Sequence, residues 1–177
     1  MKKLIVLALI GFVVAAGAFA QTTAVHNIAI VVPIVQAIAL NDTGVITLNV
    51  VAPVTPGDAP TGDTNNSKYL RYTVVTATSQ KVTVQITTGA YPAGITLSVQ
   101  AIPGTGGSGA GQGTGSTQVI PVTPTAAVNL ITAIPSCYTG TGATDGAQLI
   151  YTMNITPASL VQGGGSTVTL TYTITNT

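Results

Sequence analysis

The sequence predicts an all-β chain folded as an antiparallel β-sandwich of about ten short strands. Three observations carry that prediction. Apolar and polar residues alternate with period two along most of the chain, the pattern of strands with one buried face. Gly and Pro, present 20 and 10 times, cluster between the alternating stretches and punctuate them as turns. Helical spacing of apolar residues is missing, save for one turn near Pro157-Ala158-Ser159-Leu160. Ig-like and jelly-roll topologies fit this pattern equally well.

The chain opens on a leader. Met1-Lys2-Lys3 is a basic n-region, Leu4 to Ala16 an apolar core, and Ala18-Phe19-Ala20 a small-residue cleavage signal, so residues 1–20 are expected to be removed on export. The apolar run is short for a membrane span and no second run follows, so the mature chain is expected to have no span. Residues 21–34 then form an N-terminal apolar strand. Its even positions Ala24, Ile28, Ile30, Val32 and Ile34 make one face, broken only by His26, while Val25, Ala29 and Val31 make the other apolar too. A strand apolar on both sides needs a cover on both sides, from its own domain or from a neighbouring chain.

Residues 35–177 are the size of one domain able to bury a full core. Strand character extends from the leading segment to Leu40. Val45 to Val51 alternates, with Ile46, Leu48 and Val50 on one face, before a polar loop from Ala52 to Ser67. Tyr69 to Ala77 and Lys81 to Thr87 alternate around Ser79-Gln80 and are expected to pair as a hairpin. Ile95 to Ala101 follows the Tyr91-Pro92-Ala93-Gly94 turn, and Pro103 to Ser116 is a Gly/Ser/Thr loop with no regular element expected. Val119 to Val122 and Val128 to Ile134 are weaker strands, and Pro135 to Gly146 is a second Gly-rich turn region. Gln148 to Ile155 is a strand. The last strand is the cleanest: Val168, Leu170, Tyr172 and Ile174 form its inward face against Thr167, Thr169, Thr171, Thr173 and Thr175.

Charge excludes several functions. Charged residues are 5% of the chain, Glu is absent, and without Lys2 and Lys3 three basic residues face four Asp, a net charge of −1. Such a surface offers no electrostatic footprint for nucleic acid or an anionic membrane, and little repulsion to hold copies apart. Catalytic and metal chemistry find no foothold either. His26 is the single histidine, too few for a His cluster, and no acid lies near it in sequence to build a triad. Asp42, Asp58, Asp63 and Asp145 are scattered among turns, and Asp58, Asp63, Asn65 and Asn66 do not match a calcium loop. Gly104, Gly106 and Gly109 have the spacing of a dinucleotide fingerprint but are followed by β-prone residues where that motif needs a helix. Cys137 is alone, so no intrachain disulfide forms, and it is expected to be a small buried hydrophobe. No enzyme activity and no cofactor are expected.

The combination of a leader, a Thr-rich β-sandwich and apolar terminal strands resembles bacterial pilus subunits, in particular chaperone-usher pilins that assemble by donor-strand exchange. In those proteins an alternating apolar N-terminal extension fills a groove in the next subunit, the part that Ala24, Ile28, Ile30, Val32 and Ile34 would play here. Their last strand alternates likewise, with a Tyr near its end and a Gly before it, to which Tyr172 and Gly164 are comparable. The sequence departs from the family in lacking a Cys pair and a penultimate Tyr, and its apolar extension runs on past Pro33. The resemblance implies an exported subunit that polymerises with copies of itself at the cell surface, with a periplasmic chaperone or assembly platform as a further partner. The competing expectation is a monomeric surface adhesin or binding module for glycans, using the loops Pro103 to Ser116 and Pro135 to Gly146.

Overall fold

The computed structural model describes residues 23–177, except residue 110 and residues 123–125. The expected leader, residues 1–20, therefore lies outside the described residues. The chain divides between Val32 and Pro33 into two units. In the first, residues 23–32 have no regular secondary structure and their side chains are exposed.

The second unit is a β-sandwich of two antiparallel sheets. One sheet holds β1 (Val35–Leu40), β2 (Thr64–Val75), β4 (Ile95–Ile102), β5 (Ser108–Gly109), β7 (Thr117–Val119), β9 (Cys137–Tyr138) and β10 (Ala147–Ile155). The other holds β3 (Gln80–Thr88), β6 (Thr114–Gly115), β8 (Val128–Ile134) and β11 (Thr169–Asn176), in the order β11-β3-β8-β6. A 3₁₀ turn covers Ala158–Leu160.

β2 is the spine of the first sheet. Leu70 pairs with Leu40 of β1 and with Ala147 of β10, and Thr73 pairs with Ala37 of β1 and Tyr138 of β9. A residue has only two flanks, so β9 and β10 share one side of β2 and β1 occupies the other. β9 and β10 thus act as one strand interrupted by the loop at 139–146, and β5 and β4 repeat the arrangement beside them.

The period-two pattern sorts side chains as expected. Leu70, Tyr72 and Val74 of β2, Val82, Val84 and Ile86 of β3, and Leu97 and Val99 of β4 are buried. Alternation fails within β8, where consecutive Leu130 and Ile131 are both buried. Register shifts in its pairing with β3 mark the irregularity that turns both inward.

Several expectations are corrected: residues 23–34 have no regular secondary structure where a strand is expected, and the strand expected over Val119 to Val122 is instead Thr117–Val119. β2 and β3 do not form a hairpin: they lie in different sheets, and the connection between Val75 and Gln80 crosses the sandwich. Alternation fixes which face of a strand is buried but not its partner, and β3 pairs instead with β8 and β11. Val45 to Val51 is not a strand, since only Val51 makes a bridge, to Thr61, although Ile46 and Leu48 do pack on the core. The loop from Pro103 to Ser116 does hold regular structure, in the two-residue strands β5 and β6. Gly107 makes this possible: its φ is +76°, and a Cβ there would sit 1.9 Å from the carbonyl oxygen of Tyr138.

One inward position on β2 is polar. Lys68 is 5% exposed, and its amine reaches the carboxylate of Asp42 on the segment that leaves β1. Hydrogen bonds from Lys68 and from the Gly44 amide hold the Asp42 carboxyl below the ordinary value of 3.8. A depressed carboxyl stabilises the fold above its unfolded value, and that contribution disappears as pH falls through the folded value. Urea midpoints followed below pH 4 should therefore fall more steeply for the natural chain than for Asp42→Asn. At neutral pH Asp42→Ala, which strands the buried amine, should lower the midpoint, whereas Lys68→Met should leave it unchanged or raise it.

Candidate interaction site

Two unpartnered apolar features stand out. The first is the leading segment. Val25 is 94% exposed, Ile28 73%, Ile30 83%, Val31 86%, Val32 70% and Ile34 74%, and Ala24 and His26 are exposed as well. Isolated exposed hydrophobes are ordinary, but six within ten residues form a contiguous apolar ribbon. No strand among the described residues pairs with it. Ile34 lies just before β1, where pairing with β2 begins at Val35.

The second feature is a groove of about 240 Å³ between β1 and β11. Its walls are Ile38 and Leu40 from β1, Leu70 from β2, and Leu170 and Tyr172 from β11. Among the described residues β1 pairs only with β2 and β11 only with β3, so each strand presents one unpaired backbone edge at this seam. Val168, Leu170, Tyr172 and Ile174 are all partly buried against the core. Val168 lies one residue before β11 begins.

One end of the seam is closed by amides. Gln36 of β1 donates from Nε2 to Asn176 Oδ1 of β11 at 3.0 Å and to the Oε1 of Gln80 on β3. Gln80 is fully buried, and its own Nε2 donates to Thr76 Oγ1 at 3.2 Å and the Thr78 carbonyl at 3.0 Å. A buried amide satisfied in this way holds the two sheets at a fixed spacing. Deeper in the seam the hydroxyls of Tyr151 on β10 and Tyr172 on β11 lie 2.8 Å apart, a second link between the sheets. Burial pushes the Tyr172 phenol well above its ordinary value of 10, with Tyr151 adding to the effect. Burial raises Tyr151 as well, offset in part by its bond to Tyr172.

Other singled-out residues stay dispersed. His26 lies in the exposed ribbon, while Cys137 is buried in β9 and its thiol is raised by burial. Asp63 accepts from the amides of Asn49 and Thr64, and Asp145 from that of Gly142. The contacts to Thr64 and Gly142 are local to turns, and that to Asn49 ties two loop segments together. Among the described residues no group of three His, Cys, Asp or Glu gathers to hold a metal ion. The glycines from 104 to 109 lead into β5 and β6 and not into a helix. The loops Pro103 to Ser116 and Pro135 to Gly146 do meet, because Ser108 pairs with Tyr138 and Gly109 with Cys137. The groove itself left no sequence signal, since it depends on which strands end up at the rims of the two sheets.

No family model matches the chain, and neither a curated protein nor a solved structure matches it.

The tyrosine link is testable. Tyr172→Phe deletes one hydrogen bond and should cost about 1 kcal/mol in urea unfolding at pH 7. Raised phenols keep their protons in the fold at a pH where the unfolded chain loses them, so stability falls as pH rises above 10. The loss between pH 9 and 11 should be shallower in Tyr172→Phe.

Proposed function

We propose that this chain is an exported structural subunit that polymerises into an extracellular filament of the pilus kind by adding its leading strand to another copy. The observation that supports the reading best is the exposed apolar ribbon from Val25 to Ile34, with which no strand among the described residues pairs. Strand addition would supply backbone partners to that ribbon and bury its side chains in a neighbour. At about 1.5–3 kcal/mol for each of Ile28, Ile30, Val32 and Ile34, the gain is on the order of 10 kcal/mol before ordering costs. A head-to-tail contact of this sort builds an open filament. The low total charge of the chain opposes close packing very little. Copies of the same chain are the principal partner, with a periplasmic chaperone or assembly platform upstream.

A second reading, a monomeric surface binding module, draws on the junction of β5 and β9. It joins the two Gly-rich loops at one edge and leaves Tyr138 52% exposed there. Glycan-array binding abolished by Tyr138→Ala would favour it.

The filament reading predicts that the mature chain forms fibres visible by negative-stain microscopy. Deleting residues 21–32 should leave a folded monomer with an unchanged urea midpoint and no fibres. A full-length mature chain that sediments as a monomer at millimolar concentration sinks the reading. Unfolding of the truncated domain would assign the ribbon to its own core instead.

A further inference from the structure

The two Gly-rich loops that meet at β5 and β9 bring a set of oxygen atoms together around two glycines. Gln112, between β5 and β6, is 6% exposed. Its Nε2 donates to the Gly106 carbonyl, and its own backbone carbonyl accepts from the Tyr72 hydroxyl. Its Oε1, by contrast, is buried without a partner. A buried amide oxygen left in this way points to a ligand. Space for one lies beside Gly104 and Gly106, ahead of β5, where Gln112 also lines a cavity of about 70 Å³. A Cβ on Gly104 would meet the Gly146 carbonyl oxygen at 2.7 Å and Gln112 Oε1 at 3.5 Å. One on Gly106 would have Asp145 Oδ1 at 3.7 Å and the Thr139 carbonyl oxygen at 3.8 Å. We propose that these oxygens form a calcium site: Gln112 Oε1, Asp145 Oδ1 and the carbonyls of Thr139 and Gly146 hold the ion, and water completes its shell.

The donors select the ion. All are oxygens and only one is charged, and calcium accepts carboxylate, amide and backbone carbonyl oxygens in a flexible geometry. Magnesium demands a near-ideal octahedron and gives up its water reluctantly, which loop carbonyls suit poorly. Water is the weaker match to Gln112 Oε1. That atom is closed off from solvent, and a calcium ion approaches an oxygen to about 2.3–2.6 Å where a water stops at about 2.8 Å. Two backbone carbonyls and an amide among the donors also explain why no cluster of acids or histidines marks the site among the described residues. Charge sets the affinity. Asp145 is the single carboxylate, and the Arg71 guanidinium donates to the Thr141 carbonyl of the same loop. Binding therefore falls at the weak end of calcium sites, with a Kd of about 10⁻⁴–10⁻³ M, as in extracellular modules. The ion would tie the loop after β9 to the one before β5, adding to the short pairing of those strands. The site lies within one copy, so it does not rest on the filament reading.

Thermal melts of the full mature chain, stripped with EDTA, test the site. Calcium at about 10 mM, well above that Kd, should raise the midpoint by a few degrees, and magnesium at the same concentration should not. Terbium(III) offers a second readout. The chain has no Trp, and Tyr72 is bonded to Gln112, so excitation of tyrosine should give terbium emission that calcium displaces. Gly106→Ala separates the site from the fold. Contacts of 3.7 and 3.8 Å are ordinary for a methyl, so the metal-free midpoint should stay unchanged while the calcium shift and the terbium emission vanish. Asp145→Asn keeps an acceptor for the Gly142 amide but should weaken calcium at least about tenfold. Asp58→Asn, in an exposed loop, should bind like the natural chain. A natural chain whose midpoint ignores calcium, or responds equally to magnesium, overturns the proposal. So does a calcium shift that survives Gly106→Ala or disappears in Asp58→Asn. Should Gly106→Ala fail to fold, Asp145→Asn decides, and a shift of natural size there overturns the site.

Discussion

Backbone groups at the rim of a sheet and apolar side chains at the rim of a two-layer core share one requirement: each needs a partner or water. Most of this sandwich meets it internally. β2, β3, β4, β8 and β10 are each flanked by neighbours, and the side chains they turn inward form one continuous core. The requirement is left open where the first and last strands of the domain approach each other. β1 and β11 both end their sheets, and the apolar residues they direct inward are only partly covered.

The polar residues near that seam fit the same account. Gln80 and Lys68 occupy inward positions on β3 and β2, where an apolar residue would be expected, and each is directed to a partner on or just after β1. An unpaired amide or ammonium at such depth would cost several kcal/mol. Satisfied as they are, Gln80 fixes the spacing of the sheets at one end of the groove, while Lys68 holds the segment that leaves β1 against β2. The tyrosine pair works between them, its hydroxyls bonded across the interior by residues of opposite sheets. The groove is accordingly a gap bridged by hydrogen bonds at one end and across its interior.

Most of the fold was legible in the sequence because burial alternates wherever strands have one covered face. The inward sets on β2, β3 and β4 could be read residue by residue. Pairing was not legible. Ser79-Gln80 reads as a hairpin turn, yet the chain between Val75 and Gln80 passes from one sheet to the other, because a strand's alternation is the same whichever neighbour it finds. Val45 to Val51 alternates yet pairs only through the single bridge from Val51 to Thr61 among the described residues, and Ser108-Gly109 pairs without alternating, since two residues are too few to show a period. The ribbon of the candidate site was legible as an apolar stretch in need of cover. Its groove was not, because Ile38 and Leu170 are 132 positions apart and only the edge positions of their strands bring them to one rim.

Under the proposed assembly the short connection between ribbon and domain has a mechanical consequence. The ribbon from Val25 to Ile34 runs directly into β1 of the same chain at Val35, and Pro33 near its end fixes its own φ while biasing Val32 towards extended backbone. A subunit anchored in its neighbour through this ribbon therefore has few free dihedrals before its own sheet begins. Flexible linkers permit bending because each added residue contributes soft torsions, and here there is almost no linker to contribute them. Stiffness in such a filament would come from this economy of chain as well as from any contact between domains. It would also explain how a surface with so few charges could assemble in order: the covalent geometry restricts the angles at which copies meet, leaving less to be specified by complementary side chains.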